Sequence, residues 1–289
     1  MSNRPYRLYC DSTCDLNKEA LAKMDVKILQ LQYEVDGETF TGDQLPMEEF
    51  YRRMRADAVT KTSQISTGTY IDAFEEDIKA GYEILYLAFS SGLSGSYNSS
   101  LVARDTLMEK YPDAKMICLD SLCASSGEGL LLYYADKLKK EGMTIDQLAD
   151  WLEVNRFHLC HVFTVDDLKY LFRGGRVSRA AALAGTIMGI KPVLNVDNDG
   201  HLIPQGKIRG RKQSIKKLAE MIKERKGSYE NKVVALSHGD CIEDAKYAME
   251  LMREIFGKNV EIIVNYTGPV IGAHSGPGTL ALFFMGEYR

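Results

Sequence analysis

Short apolar runs alternate with helical patterns through the first half of this chain, and this alternation constrains the fold more than any other feature. Runs of strand length lie at Tyr6 to Cys10, Val26 to Leu31, 82–89 and 115–119. Helical patterns lie at 47–56, 70–80, 95–110, near 125–140 and at 145–156. Strands that alternate with helices predict βα units around a mostly parallel sheet. Asp36-Gly37 predicts a tight hairpin before Glu38 to Thr41.

The pattern changes near residue 158. Ile190 to Val196 and His201 to Lys207 flank Asp197-Asn198-Asp199-Gly200, which predicts an antiparallel hairpin. We therefore predict an α/β fold with two domains, a parallel-rich sheet in residues 1–157 and a mixed sheet in residues 158–289. No low-complexity linker separates the halves, so we expect them to pack tightly with a ligand cleft between them.

Composition and charge exclude several classes of protein. The 289 residues are 45% hydrophobic and 26% charged, with a net charge of −4, which are values of a soluble globular protein without a nucleic-acid or membrane-surface footprint. No apolar run approaches the roughly 20 residues that span a bilayer, and the first residues lack a signal-peptide pattern. A cytoplasmic location is the expectation.

The six cysteines do not predict a metal site. None forms a Cys-x-x-Cys pair, and no histidine lies at zinc-ligand spacing from them. In the absence of a secretion signal we expect reduced thiols rather than disulfides. No metal or other cofactor is expected.

The segment Ile84 to Ser100 predicts a site for a small anion. An apolar strand ends in Ser90-Ser91-Gly92, and a helix rich in hydroxyl groups follows at once. The free N–H groups and the positive dipole end of such a helix point to one place beyond the sheet, where a carboxylate or phosphate can bind. Ordinary helix capping by serine is the alternative interpretation.

Four segments contain more glycine and hydroxyl residues than loops require. They are Asp11 to Leu16 (DSTCDL), Thr62 to Ser66 (TSQIS), Ser90 to Ser96, and Gly268 to Gly278 (GPVIGAHSGPG). Loops at the carboxyl ends of parallel strands line the ligand crevice, so we expect these segments to converge.

Two cationic candidates accompany these segments. His274 lies in what the sequence predicts to be a glycine-rich turn, where it can donate to a carboxylate or handle a proton. Arg176 follows Gly174-Gly175 and offers a planar fork for oxyanions. A capping histidine and a surface ion pair are the respective alternatives.

Several catalytic motifs are absent. The chain contains neither a phosphate-binding G-x-x-x-x-G-K-[ST] loop nor a kinase catalytic loop, and Ser96 breaks a G-x-S-x-G pattern at its last position. A serine hydrolase needs a base and an orienting acid, and His274 has no identifiable acid partner. A serine-dependent hydrolase and a lipid-sensing regulator remain as alternative functions.

Taken together, the segments resemble the DegV family of fatty-acid-binding proteins, which includes the B subunits of fatty acid kinase. The matching stretches are DSTCDL at 11–16, TSQIS at 62–66, SSGLSGSYNSS at 90–100, DDLKYLFRGGRVS at 166–178, IKPVL at 190–194, Lys207-Ile208-Arg209, and GPVIGAHSGPG at 268–278. They span most of the chain in family order. Ile65 departs from the proline that the family usually has in the second segment.

The resemblance implies a two-domain α/β carrier, not an enzyme by itself, that holds one long-chain fatty acid as its ligand. A separate ATP-binding kinase subunit then phosphorylates the bound acid to an acyl phosphate, which feeds phospholipid synthesis. Arg176 and His274 are implied to lie near the carboxylate and to assist phosphoryl transfer. The implied ligand-binding residues are Thr62, Ser63, Ser91, Gly92, Ser94, Arg176, His274 and Ser275.

Overall fold

The computed structural model describes residues 4–178 and 189–289. Its first sheet has four strands in the order β2-β1-β6-β7, and every neighbouring pair is parallel. The strands are β1 (Tyr6–Asp11), β2 (Val26–Leu29), β6 (Glu83–Ala88) and β7 (Met116–Asp120). All residues of β6 are buried, as expected for a parallel strand covered on both faces. The predicted parallel-rich sheet is confirmed.

A small antiparallel sheet lies beside the first sheet, in the order β4-β3-β5. Its strands are β3 (Gln32–Val35), β4 (Glu38–Thr41) and β5 (Thr60–Ser63). The predicted hairpin joins β3 and β4, because Asp36 and Gly37 adopt φ values of 50° and 88°. Two successive positive φ angles form the turn that best matches the twist of a hairpin.

The second large sheet is mixed, in the order β10-β9-β8-β13-β11-β12. Its strands are β8 (Leu159–Thr164), β9 (Ile190–Val196), β10 (Leu202–Arg209), β11 (Val233–His238), β12 (Glu261–Tyr266) and β13 (Leu280–Met285). Only β11 and β12 are parallel neighbours, and the remaining pairs are antiparallel. The predicted mixed sheet and its β9–β10 hairpin are both confirmed.

The helices connect these strands and cover their faces. They are α1 (Lys18–Leu21), α2 (Met47–Arg55), α3 (Thr67–Lys79), α4 (Ser96–Lys110), α5 (Ser126–Lys140), α6 (Ile145–Asn155), α7 (Lys169–Arg173), α8 (Arg211–Arg225), α9 (Ile242–Phe256) and α10 (Pro269–Ser275), with a short 3-10 turn at Ser12–Cys14. Within the described residues, no helix is both long and apolar enough to cross a bilayer.

The hydrophobic cores join the two halves of the chain. Leu131 of α5 and Leu152 of α6 belong to the same buried cluster as Leu159 and Phe283 of the second sheet. Val270 of α10 belongs to a second cluster, which is built mainly from residues before 120. The predicted boundary near 157 falls between α6 and β8, but both clusters cross it.

Three elements differ from the sequence-based expectation. Residues 60–63 form strand β5 although TKTS contains no apolar side chain, because the backbone pairs with β3 from Gln32 to Val35. Residues 269–275 form helix α10 rather than a glycine-rich turn, because Gly272 allows close packing on Phe50 and Tyr51. Strand β13, which the sequence analysis did not predict, lies at the centre of the second sheet and is fully buried.

Candidate functional site

A cavity of about 210 Å³ lies between the elements of the two halves. Most of its wall is apolar, with side chains from the second large sheet and from the segment between β6 and α4. The main apolar lining residues are Phe89, Leu93, Phe163, Val196, Leu202 and Phe283. A mainly apolar cavity with few polar groups is the usual form of a small-molecule site.

Thr62 and His274 form a hydrogen-bonded pair at one end of this cavity. Thr62 Oγ1 lies 2.7 Å from His274 Nε2. Strand β5 alternates its side chains between two faces, so Thr62 lines the cavity whereas Ser63 is exposed and outside the lining. Thr60 Oγ1 donates to the Ala273 carbonyl at 2.9 Å and holds α10 against β5.

The imidazole of His274 is uncharged at neutral pH. Burial, assisted by the nearby charge of Arg176, lowers the pKa of His274 to about 4. Gly174 packs directly on the ring, since a Cβ at residue 174 would lie 2.1 Å from His274 Nδ1. Gly174 therefore holds the His274 ring in place, although the two residues come from different segments of the sequence.

Arg176 is a half-buried cation that lines the same end of the cavity. Its Nε and Nη2 donate to the Leu93 carbonyl at 3.1 and 2.9 Å, and Nη1 donates to the Gly174 carbonyl. Within residues 4–178 and 189–289, no acidic side chain forms an ion pair with it. The fork predicted for an oxyanion is thus partly used to hold the loop before α4, but its charge is not neutralised by a carboxylate.

The loop before α4 adds Ser94 and the start of a helix. The helix predicted over 95–110 is confirmed, with Gly95 as its N-cap and no side-chain cap. Ser94 lines the cavity, and its Oγ donates to Ser96 Oγ at 3.1 Å. A side chain at residue 95 would collide with Gln64, because a Cβ there would lie 2.0 Å from Gln64 Oε1.

The structure does not bring every predicted residue to the cavity. Ser91 is exposed and outside the lining, and its backbone N–H donates to Asp120 at 3.1 Å. Gly92 packs on the turn before β10, where a Cβ would lie 2.8 Å from the Asp199 carbonyl oxygen. By contrast, Ser275 is buried and lines the cavity, and its Oγ has no partner among the described residues.

The first predicted segment, DSTCDL, forms a closed polar network instead of cavity wall. We call this set, Asp11, Thr13, Tyr86 and Glu128, the Asp11 network. Asp11 Oδ1 accepts from the Thr13 N–H and hydroxyl at 3.0 and 2.5 Å, and Oδ2 accepts from the Tyr86 hydroxyl at 2.8 Å and the Phe89 N–H at 3.1 Å.

Proton counting shows that the Asp11 network holds an extra proton. Thr13 Oγ1 also lies 2.7 Å from Glu128 Oε2, yet a hydroxyl has only one proton to give. Because four donors already converge on Asp11, Glu128 is the protonated acid and donates to Thr13. Burial, together with the nearby charge of Asp11, raises the pKa of Glu128 well above its ordinary value.

A second polar group of side chains lies in the cavity wall, and the sequence analysis did not identify it. Ser125 Oγ lies 2.5 Å from Asp15 Oδ2 and 2.9 Å from Ser237 Oγ. Ser125 adopts a φ of 55°, a conformation that is rare for serine. Nothing in the surrounding sequence indicates this conformation. Ser237 begins the stretch Ser237-His238-Gly239-Asp240, whose residue types on sequence alone are those of an ordinary turn.

One group of side chains has the geometry to approach a cation. Ligand atoms of Asp197, Asp199 and His201 lie within 4.8 Å of one another in the β9–β10 turn. Asp197 Oδ1 already accepts from the backbone N–H groups of Asp199 and His201 at 3.0 and 2.8 Å. The carboxylate thus acts as a turn cap.

Among the cavity residues that the structure describes, no serine–histidine pair has the arrangement of a hydrolase. Ser94 donates to Ser96, whereas His274 Nε2 contacts Thr62. On the other side of the ring, Nδ1 faces the Gly174 backbone rather than an acid. The geometry is therefore one of hydrogen-bonding side chains next to an apolar space.

Fold and cavity together define a class, a two-domain α/β protein that encloses an apolar cavity with a cationic, hydroxyl-lined end. The chain matches the DegV family model, described as one of uncharacterised proteins, over residues 7–287. It is 42% identical over 289 residues to a DegV domain-containing protein of Clostridium perfringens, with 99% of each chain covered. This chain belongs to the DegV family, as the sequence motifs predicted.

Solved structures share the whole fold. A stearic-acid-binding protein from Eubacterium ventriosum has a TM-score of 0.86 at 28% identity, covering 98% of this chain and 99% of its own. DegV of Bacillus subtilis, a fatty-acid-binding protein, has a TM-score of 0.83 at 28% identity, covering 99% and 100%. The predicted two-domain α/β fold is confirmed.

Proposed function

We propose that this protein binds one long-chain fatty acid, with its carboxylate at Thr62, Ser94, His274 and Arg176 and its alkyl chain in the apolar cavity. The observation that carries the proposal is the pairing of an apolar cavity with a half-buried cation that no described acid neutralises. The fatty-acid ligands of the two structural relatives support it.

The energetics of such a ligand match the two parts of the site. Burying about 14 methylene groups at roughly 0.8 kcal/mol each contributes on the order of 11 kcal/mol before ordering costs. The carboxylate then needs hydrogen bonds, since an unpaired buried charge costs several kcal/mol. Hydroxyl groups that rotate from their present partners, and the Arg176 guanidinium, satisfy it without placing a compact ammonium charge in the site.

The proposed contact uses one tautomer of the neutral His274 ring. With the proton on Nε2, His274 donates to Thr62 Oγ1, and the Thr62 hydroxyl is then free to donate to the carboxylate. Ser94 approaches from the start of α4, where the helix N-terminus also favours negative charge. Ser275 lies one residue beyond His274 and provides a further unused hydroxyl.

We further propose that the bound acid is presented to a separate ATP-dependent kinase, which forms an acyl phosphate for phospholipid synthesis. Phosphorylation of a carboxylate builds up negative charge, which the guanidinium of Arg176 offsets. A chain without a recognisable phosphate-binding loop needs a partner to supply ATP.

Calorimetric titration of the delipidated protein with stearate tests the binding proposal. One acid per chain is expected, with weaker binding by Thr62→Val and unchanged binding by Ser63→Ala on the opposite face of β5. Failure of the wild-type protein to bind any long-chain acid would overturn it. The kinase proposal fails if a fatty acid kinase phosphorylates free and carrier-bound acid at the same rate.

A further inference from the structure

One wall of the cavity is more polar than an unsubstituted alkyl chain requires. Ser125, Ser237 and Thr267 all line the cavity and are at least nine-tenths buried. We call these three residues the hydroxyl wall. They come from the α5 N-terminus, strand β11 and the end of β12, so both halves of the chain contribute.

Thr267 is the residue of the hydroxyl wall that points most directly to a ligand. It is fully buried, and its Oγ1 has no hydrogen-bond partner among the described residues. Its backbone is fixed, because the Thr267 N–H donates to the His238 carbonyl and its carbonyl accepts from the Tyr51 hydroxyl at 2.6 Å. A buried hydroxyl without a partner is unfavourable, whereas a polar ligand group would satisfy it.

Asp15 lies outside the cavity lining and contacts the hydroxyl wall through Ser125. Asp15 contacts Ser125, which contacts Ser237, so three groups share two hydrogen bonds. Burial raises the pKa of Asp15 to about 8, so the acid carries a proton at neutral pH. Either hydroxyl of the Ser125–Ser237 pair can donate to the other, so rotation of these hydroxyls lets Ser237 offer a donor or an acceptor to the cavity.

Asp15 and Thr267 belong to one local structure. The Asp15 carboxyl lies against Gly268, where a Cβ would come within 2.3 Å of Oδ1. Gly268 directly follows Thr267 in the chain, so the acid fixes the loop that carries the unpaired hydroxyl. A group in this part of the cavity therefore meets the hydroxyls of Ser237 and Thr267, each of which can donate or accept.

We propose that the hydroxyl wall is a subsite for a hydroxyl group on the alkyl chain, and that the preferred ligand is a hydroxylated long-chain fatty acid. This inference rests on the proposed fatty-acid binding and adds the substrate class. A hydroxyl both donates and accepts, as Ser237 and Thr267 require. A plain alkyl chain leaves Thr267 Oγ1 unpaired.

Competition binding with stearate and a panel of hydroxystearates, each with its hydroxyl at a different mid-chain carbon, tests the subsite. We expect one position to bind roughly tenfold more tightly than stearate, because a well-placed buried hydrogen bond is worth about one factor of ten. In Thr267→Val, the affinity for that hydroxystearate should fall to the value that the same variant shows for stearate. Thr267→Ser keeps the hydroxyl and should keep the preference.

Two outcomes distinguish failure of the subsite from failure of the proposed function. If stearate binds and no hydroxyl position improves on it, the subsite is wrong and the wall holds adventitious water only. If neither stearate nor any hydroxystearate binds, the proposed function fails instead. Ser237→Ala provides a second variant should Thr267→Val unfold, and Thr279→Val is a control in the same lining, because the Thr279 hydroxyl already donates to Gly276 at 2.8 Å.

Discussion

The cavity end around His274 and the Asp11 network are both buried polar clusters with shifted pKa values, yet they differ in how their donors are used. In the Asp11 network, each carboxyl oxygen already has a partner, and none of its four members lines the cavity. Around His274, the charge of Arg176 has no described acid partner, and the hydroxyl of Ser275 has no hydrogen bond.

This difference shows that burial and a perturbed pKa do not by themselves mark a ligand site. The DSTCDL segment is as rich in polar groups as the TSQIS segment, and both follow or belong to strands. In the first segment, Asp11 and Thr13 have hydrogen-bond partners within the Asp11 network, and these bonds stabilise the fold. The second places the Thr62 hydroxyl in the lining of an apolar cavity, and that combination indicates a ligand.

The largest expected effect comes from Asp11→Asn. The amide replaces an acceptor with a donor among four donors, which should lower the free energy of unfolding by about 3–5 kcal/mol. Urea denaturation measures the change, and the exposed Asp72→Asn should stay within about 0.5 kcal/mol of wild type. A loss below 1 kcal/mol would show that the network is not structural.

Arg176→Gln should affect phosphoryl transfer more than binding. Loss of the charge near the carboxylate is expected to lower acyl-phosphate formation with a partner kinase by about 10²-fold. Fatty-acid affinity should fall by only about 1 kcal/mol, since most Arg176 contacts are to backbone. Arg173→Gln, an exposed change of equal charge three residues away, is the control. Abolished lipid uptake with normal transfer per bound lipid would reverse the assigned role.

Thr62→Val should weaken fatty-acid binding by about 1.5–3 kcal/mol, because a charge-assisted hydrogen bond is lost while the shape of the side chain is kept. The free energy of unfolding should change little, since Thr62 lines the cavity and is not packed in a hydrophobic core. Titration with stearate measures the effect. Equal losses for Thr62→Val and Ser63→Ala would contradict the placement of the carboxylate on one face of β5.

Glu128→Gln should have the smallest effect, because a neutral amide donates to Thr13 as the protonated acid does. The raised pKa of Glu128 means that the folded state binds more protons than the unfolded state above pH 4.5, so wild-type stability falls as pH rises from that value. The variant should show a shallower fall in urea unfolding between pH 5 and 8. An identical pH dependence would mean that Glu128 is ionised in the fold.

Sequence reasoning located the elements whose signal is local. Strand β6 is a continuous apolar run, α4 follows it, and Asp36-Gly37 has the residues that a tight hairpin requires. Strand β5 and helix α10 were missed because their stability comes from partners, the backbone of β3 in one case and close packing on Tyr51 in the other. The residue patterns of TKTS at 60–63 and GPVIGAHS at 268–275 do not indicate those contacts.

The candidate site was predicted in part for the same reason. Thr62, Ser94, Arg176 and His274 all line the cavity, and their role in binding stays a prediction. Ser63 and Ser91 do not, because strand alternation and loop direction decide which neighbour faces inward. The hydroxyl wall was not predicted, since Ser125, Ser237 and Thr267 are far apart in sequence and only the fold brings them together.

Mass spectrometry of lipid extracted from protein purified from cells shows directly whether this chain carries a fatty acid. We expect one long-chain fatty acid per chain, strongly reduced in the Thr62→Val variant and retained in Ser63→Ala. Protein that is free of lipid as purified, and that takes up no long-chain acid when offered one, would contradict the proposed fatty-acid binding.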